Sequence, residues 1–315
     1  MASSKHSSSL SSLNPELLEE IFRRAQAETL IRLKPTCMQF NSLISNIRFI
    51  YDHFDHSSER FIRTNDTTVR IMDPVTETRS DTPIPDEFQE PNRVQPILHC
   101  DGLILCIRRD HWQINQPRRP QIAIWNPLLR RVKWINPSQC LSPNSVYGFG
   151  YKSREEGYKI LRFSNSWFKV LEGETQVEVY ELENSSWRTL DHVEVDVRVD
   201  SKGVAVMGNM YWLAENKSSI LGFSFTSETF KDVCSCPAFY FGDSRYLSCF
   251  REDRLSLCEG AEGEGVTFST YGIIYEVEEG GLKNQTETET ERIYGRVWYP
   301  IFCGHVYAPS LVPLP

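Results

Sequence analysis

The spacing of the apolar residues changes once along this chain, near Phe61. Up to about Phe54 the apolar residues recur at helical spacing, whereas after Phe61 apolar and polar residues alternate, as they do in half-buried strands. A chain of 315 residues is long for a single core, and its 40% of hydrophobic residues is ample for a packed interior. The sequence therefore predicts an α+β multidomain fold, with a disordered stretch over residues 1–10, a small helical domain over 11–55 and a larger, mainly β domain over 61–315.

Three short helices are predicted in the N-terminal domain. Asn14 can cap the first helix, which begins at Pro15, where a missing N–H is tolerated. The apolar stripe of this helix consists of Leu17, Leu18, Ile21 and Phe22. A second helix is expected to stop before Pro35, because the residue preceding a proline is pushed out of the α region. A third is expected to run from about Pro35 to Ser45.

The predicted helices are too short to persist alone in water, and about 40 residues bury too little surface to fold alone. The apolar stripe of the first helix must therefore pack on another surface. Periodicity leaves two possibilities open: that surface belongs to the rest of this chain, or it belongs to a separate protein.

The β domain contains a series of similar segments. Four strand-like runs each end in a turn rich in Asp, Asn, Pro, Ser or Thr, and they cover residues 69–72, 122–125, 177–180 and 220–223. Pro74 and Pro127 occupy equivalent turns, at a spacing close to the roughly 40 to 50 residues of a propeller blade. We interpret the domain as a degenerate, kelch-like β-propeller, with a β-sandwich as the alternative. Residues 258–292 are acidic and rich in Gly and Thr, and we predict loops there, interrupted by one strand-like run at 271–277.

Charge and composition argue against several classes of protein. The net charge is −8 and Lys and Arg form no stripe, which disfavours binding to nucleic-acid phosphates. Met1–Ser12 lacks the apolar run of a signal peptide, and no later stretch approaches the roughly 18 to 20 apolar residues of a membrane span. We therefore expect a protein of the cytoplasm or nucleus, without a membrane partner, whose nine cysteines are reduced thiols.

Three residue pairs that could suggest an enzyme or a metal site have ordinary structural interpretations. They are Gly148 and Gly150, His53 and His56, and Cys234 and Cys236. The glycines lack the third glycine of a dinucleotide loop, the histidines lack a third ligand, and the cysteines alternate onto one face of a strand as buried thiols. The tryptophans are interpreted as blade packing. We predict no catalytic, cofactor or metal site.

Several segments resemble one known family. Residues 13–22, 27–34 and 36–44 resemble the F-box of plant F-box proteins, and the β domain resembles their F-box-associated domain of the first type. The β-domain segments that carry the resemblance are residues 100–106, 124–128, 147–151, 208–212 and 307–312.

The resemblance implies a non-catalytic subunit of an SCF (Skp–cullin–F-box) ubiquitin ligase. The F-box would dock on a Skp-type adaptor, which links to a cullin and a RING subunit, in a helix-in-groove contact. The β domain would hold a target protein for ubiquitination and degradation. The residues implied to line the adaptor contact are Leu13, Pro15, Leu17, Leu18, Ile21, Leu30, Leu33, Cys37 and Phe40.

Three positions depart from the usual F-box pattern. Asn14 replaces the proline of the first Leu-Pro, Ala25 and Gln26 replace a second Leu-Pro, and Phe40 replaces a common Trp. Loss of a leucine at a buried contact costs about 2 kcal/mol or more, which favours a reduced adaptor affinity. Two alternatives therefore stay open: a protein-binding propeller with a decayed F-box, and a propeller enzyme.

The target-recognition surface is expected in connecting segments, because loops on a rigid scaffold carry specificity. The candidates are residues 140–146, 164–175 and 259–270.

Overall fold

The N-terminal part of the protein consists of four short helices. The computed structural model describes residues 14–64, 68–73, 75–89, 98–108, 121–138, 145–164, 176–191, 193, 195, 197–216, 218–236, 243–250, 254–261, 270–278, 281–290 and 305–314. The helices are α1 (Pro15–Arg23), α2 (Ala27–Leu33), α3 (Met38–Ile44) and α4 (Ile47–Asp55). Within these described ranges, no helix is long and apolar enough to cross a membrane.

Side-chain caps set where three of these helices, α1, α3 and α4, begin. Asn14 caps α1 as predicted, with its Oδ1 accepting a hydrogen bond from Glu16 N at 3.1 Å. The third helix begins later than predicted, because Cys37 is extended and acts as its N-cap. The prediction of three helices is wrong by one, because Asn46 caps the further helix α4 through hydrogen bonds from the first-turn N–H groups.

The described strands form five four-stranded antiparallel sheets, which we name blades I to V. Blade I contains β20 (His305–Tyr307), β1 (Arg60–Thr64), β2 (Thr68–Met72) and β3 (Arg79–Pro83). Blade II contains β4 (Leu98–Cys100), β5 (Leu103–Arg108), β6 (Gln121–Asn126) and β7 (Arg131–Ile135). Blade III contains β8 (Ser145–Tyr151), β9 (Tyr158–Ser164), β10 (Glu178–Glu181) and β11 (Ser186–Thr189).

The remaining two blades have the same strand order. Blade IV contains β12 (Val199–Val206), β13 (Asn209–Ala214), β14 (Ser219–Ser224) and β15 (Thr229–Ser235). Blade V contains β16 (Asp243–Phe250), β17 (Arg254–Ala261), β18 (Thr270–Glu278) and β19 (Gly281–Thr290). The first strands of successive blades contact one another around a common centre: β4 with β8, β8 with β12, β12 with β16, and β16 with β20. This arrangement confirms the propeller and excludes the β-sandwich.

The ring is closed by pairing between the two ends of the β domain. Strand β20 supplies the first strand of blade I and pairs with β1 in the register Arg60 with Tyr307. The residues after β20 are then fixed to blade II, because Asn126 Nδ2 donates hydrogen bonds to Ser310 O at 3.0 Å and Val312 O at 2.9 Å. Two segments that carry the family resemblance, 124–128 and 307–312, therefore meet at this closure.

The predicted repeats correspond to the third strands of blades I to IV. The four strand-like runs lie at β2, β6, β10 and β14, and each leads through a short turn to the fourth strand. Asp73 and Asn126 stabilise two of these turns by accepting backbone N–H hydrogen bonds through Oδ1. Non-glycine residues with positive φ recur in these turns, namely Glu77, Arg130, Ser185 and Glu228.

Blade V takes up the described part of residues 258–292, where loops interrupted by one strand-like run are predicted. The strand-like run at 271–277 is confirmed as β18, whereas the prediction of loops is wrong for β19 and for the end of β17. β17 extends to Ala261, and most of the rest of the region forms β18 and β19, which pair over nearly their whole length. The abundance of Gly and Glu argues against strands, but threonine favours them, and pairing with neighbouring backbone outweighs local composition.

Strand alternation gives the propeller two different ends. In blades II to V the first-to-second and third-to-fourth turns lie at one end, because the strands are antiparallel. In blade I, β20 and β1 are not joined by a turn, and the β2–β3 turn is the third-to-fourth turn. Asp101, in the β4–β5 turn, and Arg154, in the β8–β9 turn, interact with each other, and Arg154 also binds Asp55 at the end of α4. We name this end the helix-bearing face, and the opposite end, from which the other connections leave, the distal face.

Candidate functional site

Most of the large apolar side chains exposed in the described structure lie on the N-terminal helices. Four belong to residues 15–55 and three to the propeller. In the helices they are Leu17 (56% exposed), Ile21 (53%), Met38 (90%) and Ile47 (49%), and in the propeller they are Val75, Trp134 and Met207. The helical domain therefore presents an apolar surface that its own chain leaves uncovered.

The predicted stripe of α1 divides into two faces. Leu18 and Phe22 point inward, with 1% and 4% of their surface exposed, and Phe22 packs edge-to-face on Phe40 with 4.9 Å between ring centroids. Leu17 and Ile21 are one helical turn apart and share the outward face. We name the surface of Leu17 and Ile21 the α1 apolar face.

The structure separates the residues that the resemblance implies for adaptor contact. Pro15, Leu17 and Ile21 are exposed. Leu33 and Cys37 are half-buried and pack against the core. The remaining described members of the set are buried in the helical core, with at most 4% exposed, and are Leu18, Leu30 and Phe40. Leu13 lies outside the described residues.

Leu18, Leu30 and Phe40 are thus interior residues in this conformation, and their implied role in the adaptor contact stays a prediction. Each is held in the interior by contacts with other helices and is covered by its own chain in this conformation. Met38 and Ile47 are two exposed apolar residues that sequence reasoning missed. Each is the first residue of its helix, directly after an N-cap, so neither belongs to a periodic stripe.

An ion pair orients α1 on α4. Arg23 Nε lies 2.5 Å from Asp52 Oδ2, and Arg23 Nη1 lies 2.7 Å from Glu20 Oε2. The hydrogen bond to Asp52 raises the pKa of Arg23 above its ordinary value. Because Arg23 ends α1, this contact fixes the rotation of the helix and keeps the α1 apolar face directed outward.

The residue pairs considered as alternative sites lie in structural positions. His53 is buried and its Nε2 lies 2.8 Å from Ala25 O, while His56 is exposed at the end of α4. Cys234 and Cys236 pack against one apolar cluster, as their alternation predicts. In the described part of the chain, no group of three His, Cys, Asp or Glu side chains is placed to hold a metal ion.

Gly148 and Gly150 lie within β8, where blade III meets blade IV. A Cβ at Gly150 would lie 2.0 Å from Gly208 O, and one at Gly148 would lie 3.0 Å from the Trp212 ring. Both glycines therefore allow close approach of neighbouring blades.

The segments predicted to recognise a target fall mostly outside the described residues. These are 140–144, 165–175 and 262–269. Their described flanks, including Ser145, Ser164 and Ala261, are strand ends at the distal face.

Among the described residues, four helices with an uncovered apolar face precede five four-stranded blades, so the chain combines a small helical domain with a β-propeller. Residues 10–52 match the model of the F-box domain, and residues 52–268 match that of the F-box associated beta propeller domain. The chain therefore belongs to the family of F-box proteins with an F-box-associated β-propeller domain.

Similar proteins agree with this assignment. F-box protein At3g08750 of Arabidopsis thaliana is 37% identical over 376 residues, covering 97% of this chain and 98% of the relative. F-box/WD-40 repeat-containing protein 1 of Arabidopsis thaliana is 32% identical, covering 95% of this chain and 88% of the relative. Among solved structures, TolB from Acinetobacter baumannii superposes with a TM-score of 0.44 at 10% identity, covering 79% of this chain and 53% of that one.

Proposed function

We propose that this protein is the substrate-recognition subunit of an SCF-type ubiquitin ligase. The F-box helices dock on a Skp-type adaptor, which links to a cullin and a RING subunit. The propeller holds a target protein for ubiquitination and degradation. In this role the chain supplies binding surfaces, and other subunits perform the chemistry.

The α1 apolar face is the observation that carries this proposal. Burial of one aliphatic side chain contributes about 1.5 to 3 kcal/mol, and here two such side chains stay in water on adjacent turns of one helix. An amphipathic helix that offers spaced apolar anchors suits an apolar groove on a partner. The α1 apolar face therefore favours docking on an adaptor over the alternative, in which the F-box helices only stabilise their own propeller.

We further propose that the target binds at the distal face. The helix-bearing face is partly covered by α4, and the hydrogen bonds described between the helices and the propeller lie at this face, at Arg154 and Arg60. At the distal face, connections join the second strand of each blade to the third and join each blade to the next. Connections on a rigid scaffold are where specificity is usually built, which supports this assignment.

The adaptor contact is tested with the double variant Leu17→Asp and Ile21→Asp in the full chain. Both side chains are exposed, so the variant should fold, while two buried anchors are lost from the complex. We expect the Kd for a purified Skp-type adaptor to rise about 100-fold or more. Binding is measured by pull-down and by titration calorimetry.

A matched control changes two exposed apolar residues of the propeller, Val75→Asp and Met207→Asp. Asp tolerates the positive φ of Met207, so this variant should also fold. The control should bind the adaptor as the unchanged chain does. Equal adaptor binding by both double variants would contradict the proposed contact, and failure of the unchanged chain to bind would favour a decayed F-box.

A further inference from the structure

We propose that Arg154 is a positioning residue that locks the angle between the F-box helices and the propeller. Arg154 lies in the β8–β9 turn of blade III, at the helix-bearing face. Its value for ubiquitin transfer rests on the function proposed above, whereas its mechanical role does not.

One guanidinium group joins three separate elements. Arg154 Nε and Nη2 donate to the two oxygens of Asp101, at 2.9 and 3.2 Å, which couples blade III to the β4–β5 turn of blade II. Arg154 Nη1 donates to Asp55 Oδ1 at 2.7 Å, which couples both blades to the end of α4. A two-point contact with a planar guanidinium restrains direction as well as distance.

Aromatic side chains restrain the same arginine from α4. The guanidinium carbon lies 5.1 Å from the centroid of the Tyr51 ring and 5.5 Å from that of Phe54. Tyr51 Oη also donates to Arg154 O at 3.2 Å. Both the side chain and the backbone of Arg154 therefore hold α4, and this helix has little freedom to rotate over the turn.

Burial makes the ion pair between Arg154 and Asp101 stronger than an ion pair on the protein surface. Side-chain exposure is 21% for Arg154 and 8% for Asp101, and Tyr158 Oη donates to Asp101 Oδ2 at 2.9 Å. Burial raises the pKa of Asp101, and the facing guanidinium opposes that shift. Removal of Arg154 would leave a buried carboxylate without its cation, which is costly.

A second contact fixes the angle between the F-box helices and the propeller. Arg60, the first residue of β1, forms a two-point ion pair with Glu28 of α2. One anchor would allow the helices to turn about it, whereas two anchors on different helices and different blades remove that rotation. In the proposed ligase, a fixed angle holds a target on the distal face at a defined distance from the adaptor, which raises its effective concentration at the catalytic subunit.

The positioning role of Arg154 is tested by measuring the distribution of distances between the helices and the propeller in the full chain. Spin labels are introduced through non-natural amino acids at Ser42 of α3 and Asn184 of the β10–β11 turn, both exposed, because the chain contains nine cysteines. Double electron–electron resonance should give one narrow distribution for the unchanged chain. Arg154→Ala should at least double its width, and Arg154→Lys should give an intermediate width.

Lys152→Ala is the matched control, since Lys152 lies in the same turn and its ion pair with Glu156 does not reach α4. It should keep the narrow distribution. Asp101→Asn is the second test variant. It removes the charge while Asn tolerates the positive φ of this position, so it should fold and broaden the distribution even where Arg154→Ala does not fold. Narrow distributions in every folded variant of Arg154 and Asp101 would overturn the proposal.

Adaptor binding separates this test from that of the proposed function. Arg154→Ala leaves the α1 apolar face intact, so its Kd for the adaptor should stay within about twofold of the unchanged value. A broadened distribution with an unchanged Kd supports a positioning role. A chain that never binds the adaptor would defeat the ligase proposal, while the distance measurement would still decide the role of Arg154.

Discussion

The helical domain and the propeller treat their large apolar side chains in opposite ways. The helices expose four of them within residues 15–55, two of them on the α1 apolar face. The propeller has three in its described part, and these are scattered over two turns and one outer strand, as is common on protein surfaces. In the described residues, the propeller therefore exposes its large apolar side chains singly, whereas the helical domain retains an apolar face suited to a partner.

Two buried charged side chains show how the propeller satisfies groups in its own interior. Arg162 and Glu178 are nearly fully buried in blade III, and they form a 2.7 Å ion pair. Ser145 accepts from Arg162, and Ser138 donates to Glu178, so both charges have additional partners. These two buried charges in blade III are thus satisfied by their own chain without help from another molecule.

Replacement of a core tryptophan should have the largest effect. Trp212 is fully buried, and its ring packs edge-to-face on Phe163 at 5.3 Å, so Trp212→Ala should lower the free energy of unfolding by about 3 to 5 kcal/mol. Trp134, which is 46% exposed, is the matched control, and Trp134→Ala should cost clearly less. Chemical denaturation monitored by circular dichroism measures both. Equal losses of unfolding free energy in the two variants would contradict the contrast between a packed propeller core and a surface that accepts substitutions.

Two adjacent leucines of α1 provide the next test. Leu18→Ala should lower the free energy of unfolding by about 2 to 5 kcal/mol, because it opens a cavity in the helical core. Leu17→Ala should change stability by less than about 0.5 kcal/mol, yet weaken adaptor binding. Denaturation and adaptor titration of both variants are compared. A stability loss for Leu17→Ala as large as that for Leu18→Ala would mean that the chain itself covers the α1 apolar face.

Local sequence rules succeeded where local chemistry decides the outcome. The cap at Asn14 and the turns beginning at Asp73 and Asn126 depend on side chains that bind their own neighbouring backbone, so a short window of sequence contains the whole interaction. The repeated third strands were predictable for the same reason. Each combines strand-like apolar residues with its own turn.

Long-range pairing explains what sequence reasoning missed. Strand β20 has only three residues, and its partner β1 lies at the other end of the β domain, so no local pattern marks the closure. Loops are predicted where β19 lies because this part of the sequence is acidic and rich in Gly and Thr, whereas the strand-like run of β18 is predicted correctly. The inward turn of Leu18 and outward turn of Leu17 depend on the packing of Phe22 against Phe40, which periodicity within one helix cannot supply.

The smallest predicted effect concerns pH and His53. This side chain is buried in α4, where Nε2 contacts Ala25 O, and burial lowers its pKa below the ordinary value of 6.5, although the Ala25 hydrogen bond acts in the opposite direction. Below pH 6.5 the unfolded chain therefore binds a proton more readily than the folded chain. The free energy of unfolding should fall as the pH drops below that value, by less than about 1.4 kcal/mol per pH unit from this residue.

The variant His53→Gln isolates this contribution, because a glutamine amide can still donate to the Ala25 carbonyl but does not titrate. Its stability should decrease less than that of the unchanged chain between pH 7.5 and 5.5, as measured by denaturant titration. The remaining histidines cancel in this comparison. A pH dependence that is the same in both proteins would show that the contact of α4 with the α1–α2 connection does not depend on a neutral His53.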